Sequence, residues 1–427
     1  MLERREFLQR AAAAAALIGL PLPQLEKEFC QEAPPLPSSN LYQTNEEAYW
    51  AQLRPQWLLA KGRIDLNCGS VGCTPLPVLH AMIDNVLHDE EFVDPYYPWF
   101  GYEENPPLHE LVDSLSQFLG VSRDDLAIVR NATEANNTIG NGLELKPGDE
   151  VLITDQEHPG GRCVYDQRVV RHGIKINEIT LPKPPASAEQ IVDLFEQAIT
   201  PRTRLIAFSH ITTITGVVLP AKEICAMARS KGILTHIDGA HATGQIPLNI
   251  TDIGCDSYGS SPHKWLLAPK GTGYLYVRDE LQKELYVNIA SGSWKDYSLK
   301  AYRFSNLGTS NLSIMVGLKA AVDFYNSIGP DRIFARIHQL AKRVHDEVIK
   351  HSEFTIINAS ADTFYGGMVS FAAPQATVKN IFEECAKRQI RVSGGADHVR
   401  VSTHIFTQPS DIDAFFEAMN VGLTRAA

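Results

Sequence analysis

The sequence predicts an α/β protein: a large domain on a mostly parallel sheet, then a smaller C-terminal α+β domain. Three observations predict it. The chain has 427 residues, too many for one small core and enough for two unequal domains. From about residue 67 to 310, short apolar runs alternate with helix-period stretches, as in a sheet covered by helices on both faces. After Gly308 the texture changes to long helices mixed with short strands.

The N-terminus reads as an address. Glu3, Arg4, Arg5, Glu6, Phe7 and Leu8 precede a weak alanine-rich apolar run from Ala11 to Leu20. Paired arginines ahead of such a run have the form of a twin-arginine export signal. The run falls well short of the ~20 residues that span a bilayer as a helix. The bland alternative is an amphipathic cytoplasmic helix with chance arginines. Pro34, Pro35, Leu36 and Pro37 mark a linker into the folded body. The expected divisions are 1–33 for signal and linker, 34–66 for a segment packing on the small domain, 67–309 for the large domain and 310–427 for the small one.

In the large domain the strand candidates are Ala127–Arg130, Glu150–Thr154, Leu205–His210, Leu234–Asp238, Asp256–Ser260 and Gly273–Val277. Helix-period segments such as Ala188–Ile199 and Ala221–Lys231 lie between them. Beyond Gly308, helices are expected at Ile314–Asn326 and Asp331–His351. Strands and helices follow at Thr355–Asn358, Met368–Ala372, Val378–Arg388, Val399–His404 and Ser410–Leu423. In parallel sheets ligands bind at the carboxyl ends of strands. Thr133, His158, Asp238 and Lys264 all fall at or just beyond such ends.

Composition narrows the function. With 44% hydrophobic and 21% charged residues the chain is neither disordered nor a membrane bundle. Net charge is −11, and no basic run follows the N-terminus, which argues against nucleic acid and for a small molecule or peptide. None of the seven cysteines has the tight spacing of a zinc or redox pair, so no metal site is expected. Cys68 and Cys73 are near enough in sequence to bridge. No cysteine is expected to be catalytic.

The sharpest segment runs Ser261, Pro262, His263, Lys264, Trp265, Leu266, and then Pro269 to Val277. A lysine on a turn at a dry sheet end has a lowered pKa and becomes an amine nucleophile. Ser261 and His263 flank it with groups suited to phosphate. Read alone, Lys264 is equally a surface lysine in a loop. Asp238 ends an apolar strand, where a carboxylate needs a cationic partner such as a protonated ring nitrogen. Its plain reading is a helix cap. Asn131, Ala132 and Thr133 follow a strand and open a helix, an anion cradle or an ordinary N-cap. His158 lies in the loop after Glu150–Thr154, where it would stack on an aromatic ring or simply bond within the loop.

The order and spacing of Thr133, His158, Asp238, His241, Ser261, His263 and Lys264 resemble the class V aminotransferase family of pyridoxal 5'-phosphate (PLP) enzymes. That family includes cysteine desulfurases, kynureninases and isopenicillin-N-epimerase-like proteins. The resemblance covers roughly residues 64 to 423 and implies a fold type I PLP enzyme. It implies Lys264 as the Schiff-base lysine and proton shuttle, Asp238 on the pyridine nitrogen and His158 on the ring face. Ala132, Thr133, Ser261 and His263 would hold the phosphate, and His241 would sit near the ring hydroxyl and the substrate. Thr309 resembles the residue that reaches the phosphate of a neighbouring subunit, which implies a homodimer. Arg400 matches the arginine that grips a substrate carboxylate. Asn67, Gly69 and Ser70 match the lining of the substrate cavity.

Two departures stand out. Thr213 occupies a position near the ring hydroxyl where the family often has Asn. The stretch from Ile390 to His398 looks shortened and lacks the cysteine of desulfurases, so a persulfide-forming desulfurase is not expected. The twin-arginine translocation machinery carries folded cargo, which suits a cofactor loaded before export and implies a periplasmic enzyme. Exported chains of this pattern resemble enzymes of siderophore maturation. That resemblance implies as substrate the glutamate side group of a pyoverdine precursor, converted toward a succinamide. The alternatives are an epimerase or aminotransferase on another secreted amino-acid-like metabolite, or a PLP-fold binding protein without turnover. Trp99, Phe100 and Tyr102 would wall the entrance or pack as a loop.

Overall fold

The computed structural model describes residues 32–91, 106–359 and 364–425. The export signal, Cys30, Trp99, Phe100 and Tyr102 lie outside these described residues. The helices used below are Ser39–Thr44 (α1), Glu46–Leu53 (α2), Leu76–Glu91 (α3), Pro106–Leu119 (α4), Ala132–Gly142 (α5), Pro159–His172 (α6), Ala188–Ala198 (α7) and Ala221–Ser230 (α8). The C-terminal part adds Leu312–Ile328 (α9), Pro330–Val348 (α10), Gln375–Lys387 (α11) and Pro409–Thr424 (α12).

A seven-stranded sheet forms the centre. After the short strand β1 (Ile64–Asp65) its members are β2 (Leu126–Val129), β3 (Glu150–Thr154), β4 (Lys175–Ile179), β5 (Thr203–Ser209), β6 (Leu234–Asp238), β7 (Ser257–Ser260) and β8 (Gly273–Val277). Their order is β2-β8-β7-β6-β5-β3-β4. β8 runs antiparallel to both neighbours, and all other pairs are parallel. The sheet is therefore mostly parallel, as expected from sequence.

Alternation along each strand splits the core in two. Leu126, Ile128, Leu152, Ile206 and Phe208 face one side, where Ile191, Phe195 and Ile224 of α7 and α8 meet them. Ala127, Val129, Val151, Ile153, Leu205 and Ala207 face the other, against Ala135 and Ile139 of α5 and Val164 and Tyr165 of α6. Burial on both faces makes β2 and β3 read as continuous apolar runs. β4 escaped the sequence reading because it is an edge strand with a half-exposed face, Lys175-Ile-Asn-Glu-Ile179. Its apolar positions are too few to mark a strand.

The C-terminal part carries an antiparallel sheet in the order β12-β13-β10-β9. These strands are β9 (Thr355–Ile356), β10 (Met368–Ala372), β12 (Ser393–Gly394) and β13 (His398–Ser402). α10, α11 and α12 supply its core with Leu340, Val344, Ile381, Phe415 and Met419. The segment expected at Val378–Arg388 is helical: it lies in α11 up to Lys387, with Arg388 as the cap. β1 pairs in parallel with β11 (Ile390–Arg391), and Asn67 bridges to Ser402. Arg54 after α2 pairs with Asp411 of α12, and Glu47 of α2 pairs with Arg336 of α10. These contacts bring the loop after β1 against β13, and so Asn67–Ser70 against Arg400. No described helix is long and apolar enough to cross a membrane.

Candidate active site

The carboxyl ends of β2, β3, β5, β6 and β7 open onto one cavity of about 340 Å³. Gly69, Ser70, Ala132, Thr133, His158, Thr213, Asp238, His241, Ser261, His263, Lys264 and Arg400 line it. Asn67 stands just behind, its Oδ1 accepting from Ser70 Oγ at 2.8 Å and lying 3.4 Å from Arg400 Nη2. Thr309 is exposed and does not line this cavity. Among the described candidates, all but Thr309 thus lie at or beside this cavity.

Lys264 follows β7 on a turn closed by its own N–H bonding the Ser261 carbonyl at 3.1 Å. Burial lowers its ammonium to about 8. Its Nζ lies 3.2 Å from His241 Nε2. Burial, and then the Lys264 charge, hold the His241 imidazole well below its ordinary pKa. Asp238 closes β6. Its Oδ1 accepts the Ala240 N–H at 3.0 Å, and its Oδ2 accepts from Asn136 Nδ2 at 2.8 Å.

The anion cradle forms where β2 feeds α5. Asn131 caps the helix, its Oδ1 taking the Glu134 N–H at 3.0 Å. Ser261 Oγ accepts the Ala132 N–H at 2.9 Å, which locks the lysine turn onto the helix start. His263 Nδ1 faces the Thr272 carbonyl at 3.1 Å and must donate to it. With Nδ1 protonated, Nε2 would donate to a phosphate only as an imidazolium, a form that burial disfavours and a bound phosphate would favour. His158 caps α6, with Nδ1 accepting the Gly160 N–H at 3.0 Å. In the neutral ring Nε2 then carries the proton.

Arg400 rises from β13, and burial lowers its guanidinium to about 10. Nη1 donates to the Thr213 carbonyl at 2.7 Å, and Nη2 to Ser70 Oγ at 3.0 Å and Ser393 Oγ at 3.3 Å. Its Nε is buried with no hydrogen-bond partner among the described residues. An orphaned donor on a buried cation suits a carboxylate ligand. The shortened stretch forms a tight hairpin, Ser393 opposite Arg400 and Gly394 opposite Val399. Cys68 and Cys73 are free thiols, bonding the Lys264 carbonyl at 3.3 Å and Asp65 Oδ2 at 3.6 Å. Among the described residues no group of three His, Cys, Asp or Glu is placed to hold a metal ion.

These residues fit PLP. A desolvated amine can take the aldehyde, a fixed carboxylate can face the ring nitrogen, and a helix start with Thr133 and His263 can take the phosphate. Sequence reasoning missed Asn136, His236 and Glu157. Asn136 lies one turn after Thr133 in α5, and His236 lies two residues before Asp238 in β6, so each shares a face with a residue already singled out. Glu157 accepts from Thr154 Oγ1 at 2.6 Å and Ser209 Oγ at 2.7 Å, and burial pushes it up to about 7. A larger cleft of about 640 Å³ lies at the opposite, amino-terminal edge of β3, β5 and β6. It gathers no such set: its buried Arg303 is spent on the carbonyls of Gln282, Leu285 and Trp294.

Comparison with known proteins agrees with this geometry. The family model for class-V aminotransferases matches residues 106–419. An isopenicillin N epimerase of Streptomyces clavuligerus is 29% identical over 395 residues, covering 87% of this chain and 98% of its own. A probable cysteine desulfurase of Methanothermobacter thermautotrophicus is 28% identical over 299 residues, covering 68% of this chain and 73% of its own. Among solved structures, a lysine-to-alanine mutant of C-DES with glycine covalently linked to its PLP cofactor superposes with a TM-score of 0.76. It is 23% identical and covers 86% of this chain and 99% of its own. The cysteine desulfurase CsdA of Escherichia coli gives a TM-score of 0.74 at 21% identity, covering 88% and 98%.

Proposed function

Since this chain belongs to the class V aminotransferase family and depends on pyridoxal phosphate, we propose that it acts at the α-carbon of an amino-acid group carried on a secreted metabolite. The substrate we favour is the glutamate side group of a pyoverdine siderophore precursor, converted toward a succinamide: the bond from the α-carbon to its carboxylate breaks to release CO2, and dioxygen is the co-reactant that oxidises the α-carbon to the amide, its second oxygen leaving as water. A glutamate attached through its γ-carboxyl keeps both its α-amine and its α-carboxylate. The observation that carries the reading is the joint presence of Lys264 and a partner-seeking Arg400 in one cavity, beside a hairpin without cysteine.

Bound PLP supplies an aldehyde for amine exchange and a ring that draws electrons from the α-carbon. Lys264 holds and moves the proton at Nζ, and its lowered pKa keeps part of the amine neutral near pH 7. Asp238 presents a carboxylate fixed at both oxygens. Arg400 orients the substrate through its carboxylate, and Asn67, Ser70 and Ser393 hold the guanidinium still. A persulfide relay needs a thiol by the substrate, and among the described residues no cysteine lines the cavity. We therefore read the chain as an enzyme other than a cysteine desulfurase.

The same reading sends the folded, loaded protein to the periplasm through the twin-arginine machinery and makes it a homodimer, with Thr309 serving the partner's phosphate. Incubating purified enzyme with glutamyl pyoverdine precursor tests the substrate: a changed product mass is expected, and an unchanged mass sinks it. The similarity to isopenicillin N epimerase along 87% of this chain favours a second reading, epimerisation of an amino-acid-like metabolite. That reaction leaves the mass unchanged in ordinary water but exchanges one α-hydrogen for deuterium in heavy water. Lys264→Ala should abolish either activity and leave the fold intact.

A further inference from the structure

Behind Asp238 a line of buried side chains continues into the sheet. Asn136 Nδ2 donates to Asp238 Oδ2 at 2.8 Å and reaches the Gly160 carbonyl at 3.3 Å. Asn136 Oδ1 meets His236 Nε2 at 2.8 Å, and His236 Nδ1 meets Ser257 Oγ at 2.9 Å. Asn136, His236 and Ser257 are 1%, 2% and 0% exposed, so water does not compete for these bonds.

The atoms fix the direction of every bond. A carboxylate oxygen only accepts, so the amide nitrogen of Asn136 faces Asp238. The amide oxygen then accepts, so His236 carries its hydrogen on Nε2. Burial lowers that imidazole to about 4 and keeps it neutral, so Nδ1 accepts from the Ser257 hydroxyl. All three hydrogens point the same way, from Ser257 through His236 and Asn136 to Asp238. The backbone leaves room for this line. A Cβ on Gly161 would sit 3.2 Å from Asp238 Oδ2 and 3.4 Å from Asn136 Nδ2. One on Gly259 would press to 2.6 Å of the Ala135 Cβ and drive α5 off β7.

We propose that Asn136, His236 and Ser257 are positioning residues for the cofactor: a one-way donor relay that aims the Asp238 carboxylate and draws part of its negative charge away from the ring nitrogen. The inference rests on the reading of Asp238 as the partner of that nitrogen. It also ties the ring-face residue to the ring-nitrogen residue, because Asn136 holds the carbonyl of Gly160, two residues beyond His158. The other ionisable groups around Asp238 are Glu157 and Tyr165 from the β3 side, Tyr258 of β7, and His158 and Lys264 at the cavity. None of them is a link in the relay.

The test uses holoenzyme and needs no substrate: the pH titration of the visible absorption of bound PLP, together with PLP retention on dilution. Asn136→Leu and His236→Phe remove the donors. They should move the titration midpoint upward by roughly half a pH unit or more, because a less shielded carboxylate favours the protonated chromophore. His236→Gln keeps an N–H near the Nε2 position and should titrate like wild type. Ser257→Ala removes only the last hydroxyl and should shift the midpoint less, in the same direction. A wild-type midpoint in folded His236→Phe overturns the proposal, as does His236→Gln moving as far as His236→Phe. If the larger substitutions fail to fold, an unmoved midpoint in Ser257→Ala does the same. Wild-type protein that takes up no PLP would instead sink the reading of the whole site.

Discussion

Lys264 illustrates how burial sets chemistry at the scale of one residue. Its pKa falls from 10.5 to about 8 because the ammonium is desolvated. Below about pH 8 the folded and unfolded chains both carry the charge, and the folded state bears the full desolvation cost. Between about 8 and 10.5 the folded state sheds its proton first, so stability rises with pH through that window. Lys264→Met apoprotein should therefore be more stable than wild-type apoprotein at pH 7, by on the order of 3 kcal/mol, and the gap should close toward pH 10. Urea denaturation at several pH values measures it, and a constant gap would refute the desolvation account. Arg400→Lys keeps the charge but loses the fork. It should raise KM roughly 10- to 100-fold with a smaller change in kcat. The residues that line the cavity were legible because their types are chemically marked. Asn136 and His236 were not, because a buried amide and a buried imidazole look like ordinary core polar groups until their partners are known.

At the scale of elements, strand ends and helix starts set the site. Asn131 caps α5 through its bond to the Glu134 N–H. Asn131→Ala should cost about 1 kcal/mol of stability in chemical denaturation and loosen the phosphate cradle. Gly239 follows Asp238, and a Cβ there would overlap the ring of Tyr258. Tyr258 cannot retreat, since it is fully buried and its hydroxyl sits 2.9 Å from His210 Nδ1. Gly239→Ala should lower stability by about 1–3 kcal/mol and weaken PLP retention, read by denaturation and by absorbance after dialysis. Strands β3, β6, β8 and β10 were legible to the residue, because each is a short run of mostly buried, strand-favouring residues bounded by turn residues. β4 was not, because an edge strand with a polar face carries little pattern.

At the scale of the whole molecule the site depends on contacts distant in sequence. Residues near 67 and near 400 meet because β1 pairs with β11 and the N-terminal helices are anchored by ion pairs. Arg336 is 1% exposed and is neutralised by the half-exposed Glu47, with its guanidinium over the Trp50 ring. Glu47→Ala leaves a buried cation short of its carboxylate and should cost more stability than Arg336→Met, which removes the charge at similar volume. Thermal melts of the two variants decide it, and the reverse order would refute the argument. The sequence by itself determined the α/β class, the cofactor chemistry and nearly every residue lining the cavity, because parallel strands and chemically marked side chains write local patterns. Only the tertiary structure decided which groups stand behind those residues, since a hydrogen-bond partner is chosen by packing between elements, and packing leaves no periodic trace in the chain.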